Sequence, residues 1–282
     1  MTNSSTRQTP AVPSYTHSTP RLAYDRIGEG PPVVFLHGIG GSRQNWARQI
    51  ACVSSKFTAI AWDARGYGDS DDYPGPLEFQ TFADDLVRLL DELQITEAHL
   101  VGLSMGARIL MDFYTRFAAR VATLTLCDCF YGFETALSPE KQREFLELRE
   151  RPLREGKTFA DLAPALIESL VGPNCPLTTR EELRLSILAL RRDSYLKTLR
   201  ATVGFDRKAA LEGVDVPVQL IFGAEDRLTP PTIGNQMLDL LPDAELAVLP
   251  DAGHLSNLEQ PEAFNQVLTN FLNAHCARAR FV

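Results

Sequence analysis

The chain has 282 residues, 44% of them hydrophobic, enough to fill one large core or two small ones. Lys and Arg number 28 against 36 Asp and Glu, and the net charge of −8 offers no basic face to a phosphate backbone or an anionic bilayer. Nucleic-acid and membrane partners are excluded on that ground, and no apolar run of about 18 residues exists to span a bilayer.

Residues 1–14, MTNSSTRQTPAVPS, are polar and carry no apolar stretch before a cleavage site, so they read as a disordered head rather than a secretory signal. Beyond them, short apolar runs alternate with helical patterns. Residues 33–37 (VVFLH) and 58–62 (TAIAW) read as buried strands. Phe82, Leu86, Leu89, Leu90 and Leu93 recur at helical spacing, predicting an amphipathic helix over 81–93 with Thr81 as its N-cap. A strand over 99–103, a helix over 105–117 and a strand over 121–128 follow. Later, 216–222, 231–241, 245–249 and 261–274 repeat strand, helix, strand, helix. Buried strands alternating with helices predict an α/β fold, a mostly parallel central sheet with helices on both faces.

The interval 131–207 breaks that rhythm. It is rich in Glu, Arg and Leu, has helical patterns over 139–151 and 179–200, and holds nothing resembling a strand. The expected organisation is a head at 1–14, a core from 15–130 and 208–282, and a helical cap at 131–207 acting as a lid. The five cysteines (Cys52, Cys127, Cys129, Cys175 and Cys276) are odd in number and scattered. The C-x-C pair has no second pair or nearby His to complete a metal or redox site, so all read as free thiols of a reducing cytoplasm.

The chemistry concentrates in HLVGLSMGARILMDFY, residues 99–114, which contains the G-x-S-x-G pentapeptide Gly102-Leu-Ser104-Met-Gly106 between an apolar strand and a helix. In that context the turn holds Ser104 in a strained conformation above the sheet, and the glycines let strand and helix approach closely. The helix beginning at Met105 aims free N–H groups at the same point.

A serine hydroxyl is un-ionised at neutral pH and needs a base. Of the five histidines, His17 and His275 stand near the chain ends, and His99 starts the strand leading to Ser104, at its wrong end. His254 lies in a loop between a late strand and the last helix, which a parallel sheet delivers to its carboxyl edge beside the serine turn. Asp226, in GAEDRLTPP after the strand VPVQLIF, reaches the same edge and is the expected orienting acid. Its neighbour Glu225 and Asp128, which ends the strand VATLTLCD, are the alternatives.

The loop HGIGG (37–41) follows the strand VVFL and offers the Ile39 N–H as a second oxyanion donor, with His37 bracing the turn. It fails G-x-G-x-x-G at Arg43 and lacks G-K-[ST], and no His/Cys/Asp/Glu set has zinc spacing, so no cofactor or metal is expected. In WDARGYGDS, Asp63 and Arg65 read as a structural ion pair or loop brace.

HGIGGSRQNW, DARGYGDS, GLSMGA, GAEDRLTPP and AGHLSNLEQPEAF, in that order, resemble the α/β-hydrolase superfamily across the chain outside the head and 131–207. Within it, DARGYGDSDDYPGP, FADDLVRLLDELQITEAHLVGLSMG and AGHLSNLEQPEAF are similar to 3-oxoadipate enol-lactonases. The resemblance implies Ser104 as nucleophile, His254 as base, Asp226 as orienting acid, and Ile39 and Met105 as oxyanion donors. It implies hydrolysis of a small-molecule ester or lactone, 3-oxoadipate enol-lactone among them.

Two departures stand out: Ala107 occupies the place of a second Gly in the lactonase pattern, and 131–207 carries no matching motif. A dianionic product would call for a cation over the pocket, for which Arg143, Arg149, Arg191 and Arg192 are candidates against the ordinary fate of a solvated helix face. One alternative is a C–C hydrolase of aromatic ring meta-cleavage products. Those enzymes carry Asn before the nucleophile and Trp after the His, where this chain has Leu103 and Leu255. Another is a ligand-binding receptor on a hydrolase scaffold. Perhydrolase or haloperoxidase chemistry is a side reaction open to the same machinery, and self-association is left open.

Overall fold

The computed structural model describes residues 12–132 and 138–282; residues 1–11 of the expected head and 133–137 of the helical interval lie outside them. The strands are β1 (Ser14–Tyr15), β2 (Ala23–Ile27), β3 (Pro32–Leu36), β4 (Thr58–Trp62), β5 (Ile95–Leu103), β6 (Val121–Cys127), β7 (Val218–Gly223), β8 (Ala244–Leu249) and β9 (Arg280–Phe281). Their order in the sheet is β1-β2-β4-β3-β5-β6-β7-β8, with β9 beside the start of β5. Pairing is parallel from β4 across to β8 and antiparallel at β1–β2, β2–β4 and β5–β9.

The helices are α1 (Ala47–Val53), α2 (Thr81–Glu92), α3 (Met105–Phe117), α4 (Pro139–Arg154), α5 (Phe159–Leu170), α6 (Leu177–Leu188), α7 (Arg192–Val203), α8 (Lys208–Leu211), α9 (Pro231–Leu238), α10 (Ser256–Glu259) and α11 (Pro261–Ala274). Strand periodicity explains how they sandwich the sheet. Val34 and Leu36 of β3 face one side, with Phe82 and Leu86 of α2 and Ile109 and Phe113 of α3. Val33 and Phe35 face the other, with Ile50 of α1 and Phe264 and Leu268 of α11. Every residue of β3, β4, β6 and β7 is buried, so these strands read as continuous apolar runs rather than alternating ones.

The register brings the loops that matter to one edge. Leu36 pairs with Gly102, Leu103 with Cys127, Cys127 with Ile221, and Gly223 with Leu249, so β3, β5, β6, β7 and β8 end together. Helices α4–α8 lie between β6 and β7 in the chain, and α4–α7 pack a separate cluster, including Leu153, Ile167, Leu183 and Leu199, onto Leu258 of α10. Contacts to the core include Arg48 Nη2 to Glu182 at 2.7 Å and Arg191 Nη2 to the Ser70 carbonyl at 2.7 Å. Among the described residues no helix is long and apolar enough to cross a membrane.

Several local expectations are corrected. Ser14, placed in the head, begins β1. Thr81 is the first residue of α2, not its cap: Gln80 caps it with no side-chain hydrogen bond, and backbone bonds from Thr81 to Glu78 and Phe82 to Phe79 start the helix. The expected helix over 179–200 is two, α6 and α7, because Arg191 turns extended and its side chain grips the core loop at Gly66 and Ser70. Helix α5 was not anticipated, its pattern interrupted by Pro164.

Candidate active site

Ser104 sits between β5 and α3 with φ of 54°, a conformation a non-glycine residue adopts at a cost of about 1–3 kcal/mol. Its N–H is held by the Cys127 carbonyl at the end of β6, at 2.9 Å. The flanking glycines are dictated by contact. A Cβ on Gly102 would lie 2.5 Å from the Ala107 nitrogen, and one on Gly106 would strike the Leu36 carbonyl. Ala107, the departure from the lactonase pattern, is fully buried here.

His254 Nε2 lies 2.9 Å from Ser104 Oγ, and His254 Nδ1 lies 2.8 Å from Asp226 Oδ2. Asp226 is fixed in turn by the N–H groups of Leu228 and Thr229, at 2.8 and 3.0 Å, and by the Thr229 hydroxyl at 2.6 Å. Burial opposes charge on both groups, yet each stabilises the other's ionised form. His254 is held above its ordinary value by Asp226, with Asp128 and Glu259 behind it. Asp226 is held below its own by His254 and Thr229. The arrangement can deprotonate a hydroxyl and keep the resulting imidazolium paired.

Asp128, the topological alternative, is fully buried at the end of β6 but serves the loops instead. One carboxylate oxygen accepts the Gly223 N–H at 2.8 Å, the other the Ser256 N–H at 3.2 Å and the Ser256 hydroxyl. Burial, then the charge of Asp226, pushes its carboxyl up to about 7. Glu225, the other alternative, is exposed.

Ile39 and Met105 flank the same cavity as Ser104, and among the described residues no protein acceptor takes either N–H. His37 braces the first of them. Its Nε2 accepts the Ala64 N–H at 3.1 Å, which leaves the proton on Nδ1 to be donated to the Gly38 carbonyl at 2.8 Å. Burial lowers its proton affinity, keeping it neutral for that role. Asp63 and Arg65 are loop braces but not partners of each other. Asp63 pairs with buried Arg43, and Arg65 with Asp85 at 2.5 Å.

The cavity encloses about 410 Å³, with a floor at Ser104 and His254 and walls that include Leu166, Leu183, Ile187 and Leu199 of the helical segment. Of the four arginines considered as cations over it, only Arg149 lines it. Arg143 pairs with Glu140 on an exposed face, Arg191 binds the core loop, and Arg192 is exposed. Arg108 was missed. It lies on α3 one turn after Ser104, buried against Phe130 and Phe205, with Nη2 on the Thr202 carbonyl at 2.7 Å and its proton affinity pushed down to about 9 by burial. Its spacing from Ser104, as the one charged residue in the first two turns of the helix, was the available signal.

Residues 33–267 match the model of the alpha/beta hydrolase family. The chain belongs to that family. Among the relatives of this α/β hydrolase is a putative non-heme bromoperoxidase, BpoC, of Mycobacterium tuberculosis, 30% identical over 261 residues and covering 89% of this chain and 97% of that one. A 3-oxoadipate enol-lactonase of Acinetobacter baylyi is 27% identical over 250 residues, covering 88% and 91%. Among solved structures, a thermophilic esterase from Thermogutta terrifontis superposes with a TM-score of 0.85 at 30% identity, covering 94% of this chain and all of that one.

Proposed function

We propose that this α/β hydrolase cleaves carboxylic esters or lactones through an acyl-enzyme, with Ser104, His254 and Asp226 as its catalytic triad. The observation that carries the reading is the pair of hydrogen bonds joining Ser104 Oγ to His254 Nε2 at 2.9 Å and His254 Nδ1 to Asp226 at 2.8 Å. Ser104 Oγ attacks the carbonyl carbon and passes its proton to His254. The tetrahedral oxyanion rests on the Ile39 and Met105 N–H groups, where one donor is worth about 3–4 kcal/mol in comparable sites. His254 returns the proton to the leaving alkoxide or enolate as the acyl-enzyme forms. A water then enters, gives its proton to His254 and attacks the acyl carbon. Collapse releases the acid and restores the Ser104 hydroxyl.

A lactone of the 3-oxoadipate enol type suits this machinery, since an enolate leaves more readily than a simple alkoxide, and relatives bear that name. The segment 131–207 is then the lid over the acyl pocket, and the buried free thiols Cys127, Cys129 and Cys175 fit a reducing cytoplasm. A second reading is favoured by the relative named a bromoperoxidase. Hydrogen peroxide in place of water would turn the same acyl-enzyme into a peracid.

The deciding experiment measures hydrolysis of 3-oxoadipate enol-lactone and a p-nitrophenyl ester by wild type and Ser104→Ala. Fast Ser104-dependent loss of the lactone supports the named substrate. Activity on the ester alone keeps the triad and discards that substrate. Equal rates in Ser104→Ala overturn the nucleophile.

A further inference from the structure

The arginines of the helical segment divide by what they pair with. Arg154, Arg180, Arg184 and Arg200 each hold a carboxylate within 2.5–2.8 Å, and Arg143 and Arg151 hold one at 3.6 and 3.8 Å. Arg191 reaches Asp72 at 3.3 Å. Among the described residues, Arg149 and Arg192 alone in this segment take no carboxylate. Arg192 is exposed, where water serves it. Arg149 is half-buried and lines the same cavity as Ser104 and His254.

Its surroundings make a poor home for a cation and a good one for a receptor. The guanidinium stacks on Phe145, 3.6 Å from the ring centroid, and Nη1 donates to the Phe145 carbonyl at 3.2 Å. Those two contacts fix the plane of the group. Among the described residues the rest of its fork has no protein acceptor, while the walls around it are largely leucine and isoleucine. Burial disfavours its charge, with Tyr195 on the same wall partly offsetting that. A guanidinium pre-set in one plane and short of acceptors is matched by a planar carboxylate that takes two parallel N–H bonds. In an apolar pocket the attraction within such a pair is less screened than in water, and the two parallel N–H bonds are what repay the desolvation of its ions.

We propose that Arg149 is a specificity-determining residue that binds a free carboxylate on the substrate, so that the pocket is built for esters or lactones carrying an anionic arm. This rests on the hydrolase reading above and deepens it. Neutral esters of similar size fill the apolar walls but leave Arg149 without a partner, so they bind more weakly.

The test compares wild type, Arg149→Met and Arg149→Lys on two matched pairs, with acid release followed by pH-stat. Monomethyl glutarate against methyl pentanoate places the carboxylate on the acyl side. 3-(Butyryloxy)propanoate against propyl butyrate places it on the alcohol side. In wild type at least one charged ester is preferred over its neutral mate. Arg149→Met cuts kcat/KM for that ester about 10- to 100-fold and leaves the neutral mate within about threefold, and Arg149→Lys recovers part of the loss. The pair that responds tells which side of the scissile bond lies under Arg149. The proposal is overturned if wild type shows no preference, if the preference survives Arg149→Met, or if both members fall together as a structural defect requires. Glutarate is also titrated onto Ser104→Ala with and without Arg149→Met, and the melting temperature is followed. An Arg149-dependent rise supports carboxylate recognition even where Ser104-dependent turnover fails, a result that removes the hydrolase reading alone. No rise in either variant counts against Arg149 itself.

Discussion

His37 donates from Nδ1 to the Gly38 carbonyl at 2.8 Å, and that carbonyl shares one peptide plane with the Ile39 N–H. In a trans peptide the two groups point in opposite directions, so a histidine that holds the carbonyl also aims the N–H. The Ala64 N–H, 3.1 Å from His37 Nε2, fixes the tautomer that makes this work. The Gly41 N–H reaches the same carbonyl at 3.1 Å and keeps part of the alignment without it. His37→Ala is therefore expected to lower kcat about 10- to 100-fold, less than complete removal of an oxyanion donor, with little change in KM. Steady-state kinetics on a p-nitrophenyl ester check it; an unchanged kcat would sink the linkage.

The two buried aspartates separate in what their loss does. Asp226 contacts His254 directly, and Asp226→Asn keeps the shape while removing the charge that pairs with the imidazolium. A fall of about 10⁴-fold in kcat is expected, with the fold intact. Asp128 instead ties the N–H of Gly223, at the head of the Asp226 loop, to that of Ser256, two residues past His254. Asp128→Asn cannot accept at both ends, so stability falls by about 1–3 kcal/mol while kcat falls less than in Asp226→Asn. Urea denaturation beside kinetics on both variants sorts the roles, and a reversed order of kcat losses would return Asp128 to the triad.

Much of this was legible in the chain because parallel sheets convert sequence order into place. A loop after an apolar strand must emerge at the carboxyl edge, so Ser104, Asp226 and His254 could be gathered without coordinates. What was hidden depended on tertiary contact. The end of α6 and start of α7 are set by Arg191 reaching across to Gly66 and Ser70, a bond no local pattern records. Asp63 and Arg65, neighbours in sequence, turned to Arg43 and Asp85, since each buried charge takes the partner that packing supplies. Strands β1 and β9 are two residues long and β2, beside β1, is partly exposed, so burial leaves little apolar signature on them.

The pH profile follows from the balance at His254. Burial alone lowers the proton affinity of an imidazole, and Asp226 more than reverses it, so the folded pKa lies above the ordinary 6.5. The general base must be neutral. Hence kcat/KM rises with pH, and its half-maximum is expected above 6.5. In Asp226→Asn the reversing charge is gone and burial dominates, so the residual activity should reach half-maximum at lower pH than wild type. A midpoint that moves upward in Asp226→Asn contradicts the assigned pairing.

Glu259 joins the helical segment to the loop that carries His254. Its Oε2 accepts the Gly172 N–H at 2.7 Å and its Oε1 the Gly253 N–H at 3.0 Å, on either side of the junction. Beside it the His254 N–H donates to the Leu170 carbonyl at 2.7 Å, so the backbone of the proposed base is bonded to the end of α5. A Cβ at Gly253 would lie within 2.7 Å of backbone atoms of the segment, which leaves no room for another residue at the seam. Glu259→Ala strips the carboxylate from two buried N–H groups and is expected to cost about 2–3 kcal/mol. The loss should be local. Amide hydrogen exchange should quicken at Gly172, at Gly253 and along α5, while α2, on the far face of the sheet, keeps its protection. If α2 and α5 lose protection equally, Glu259 supports the whole fold rather than this seam. If neither changes, the junction is held by its other bonds, those from His254 to Leu170 and from Arg227 to Glu168 and Val171 among them.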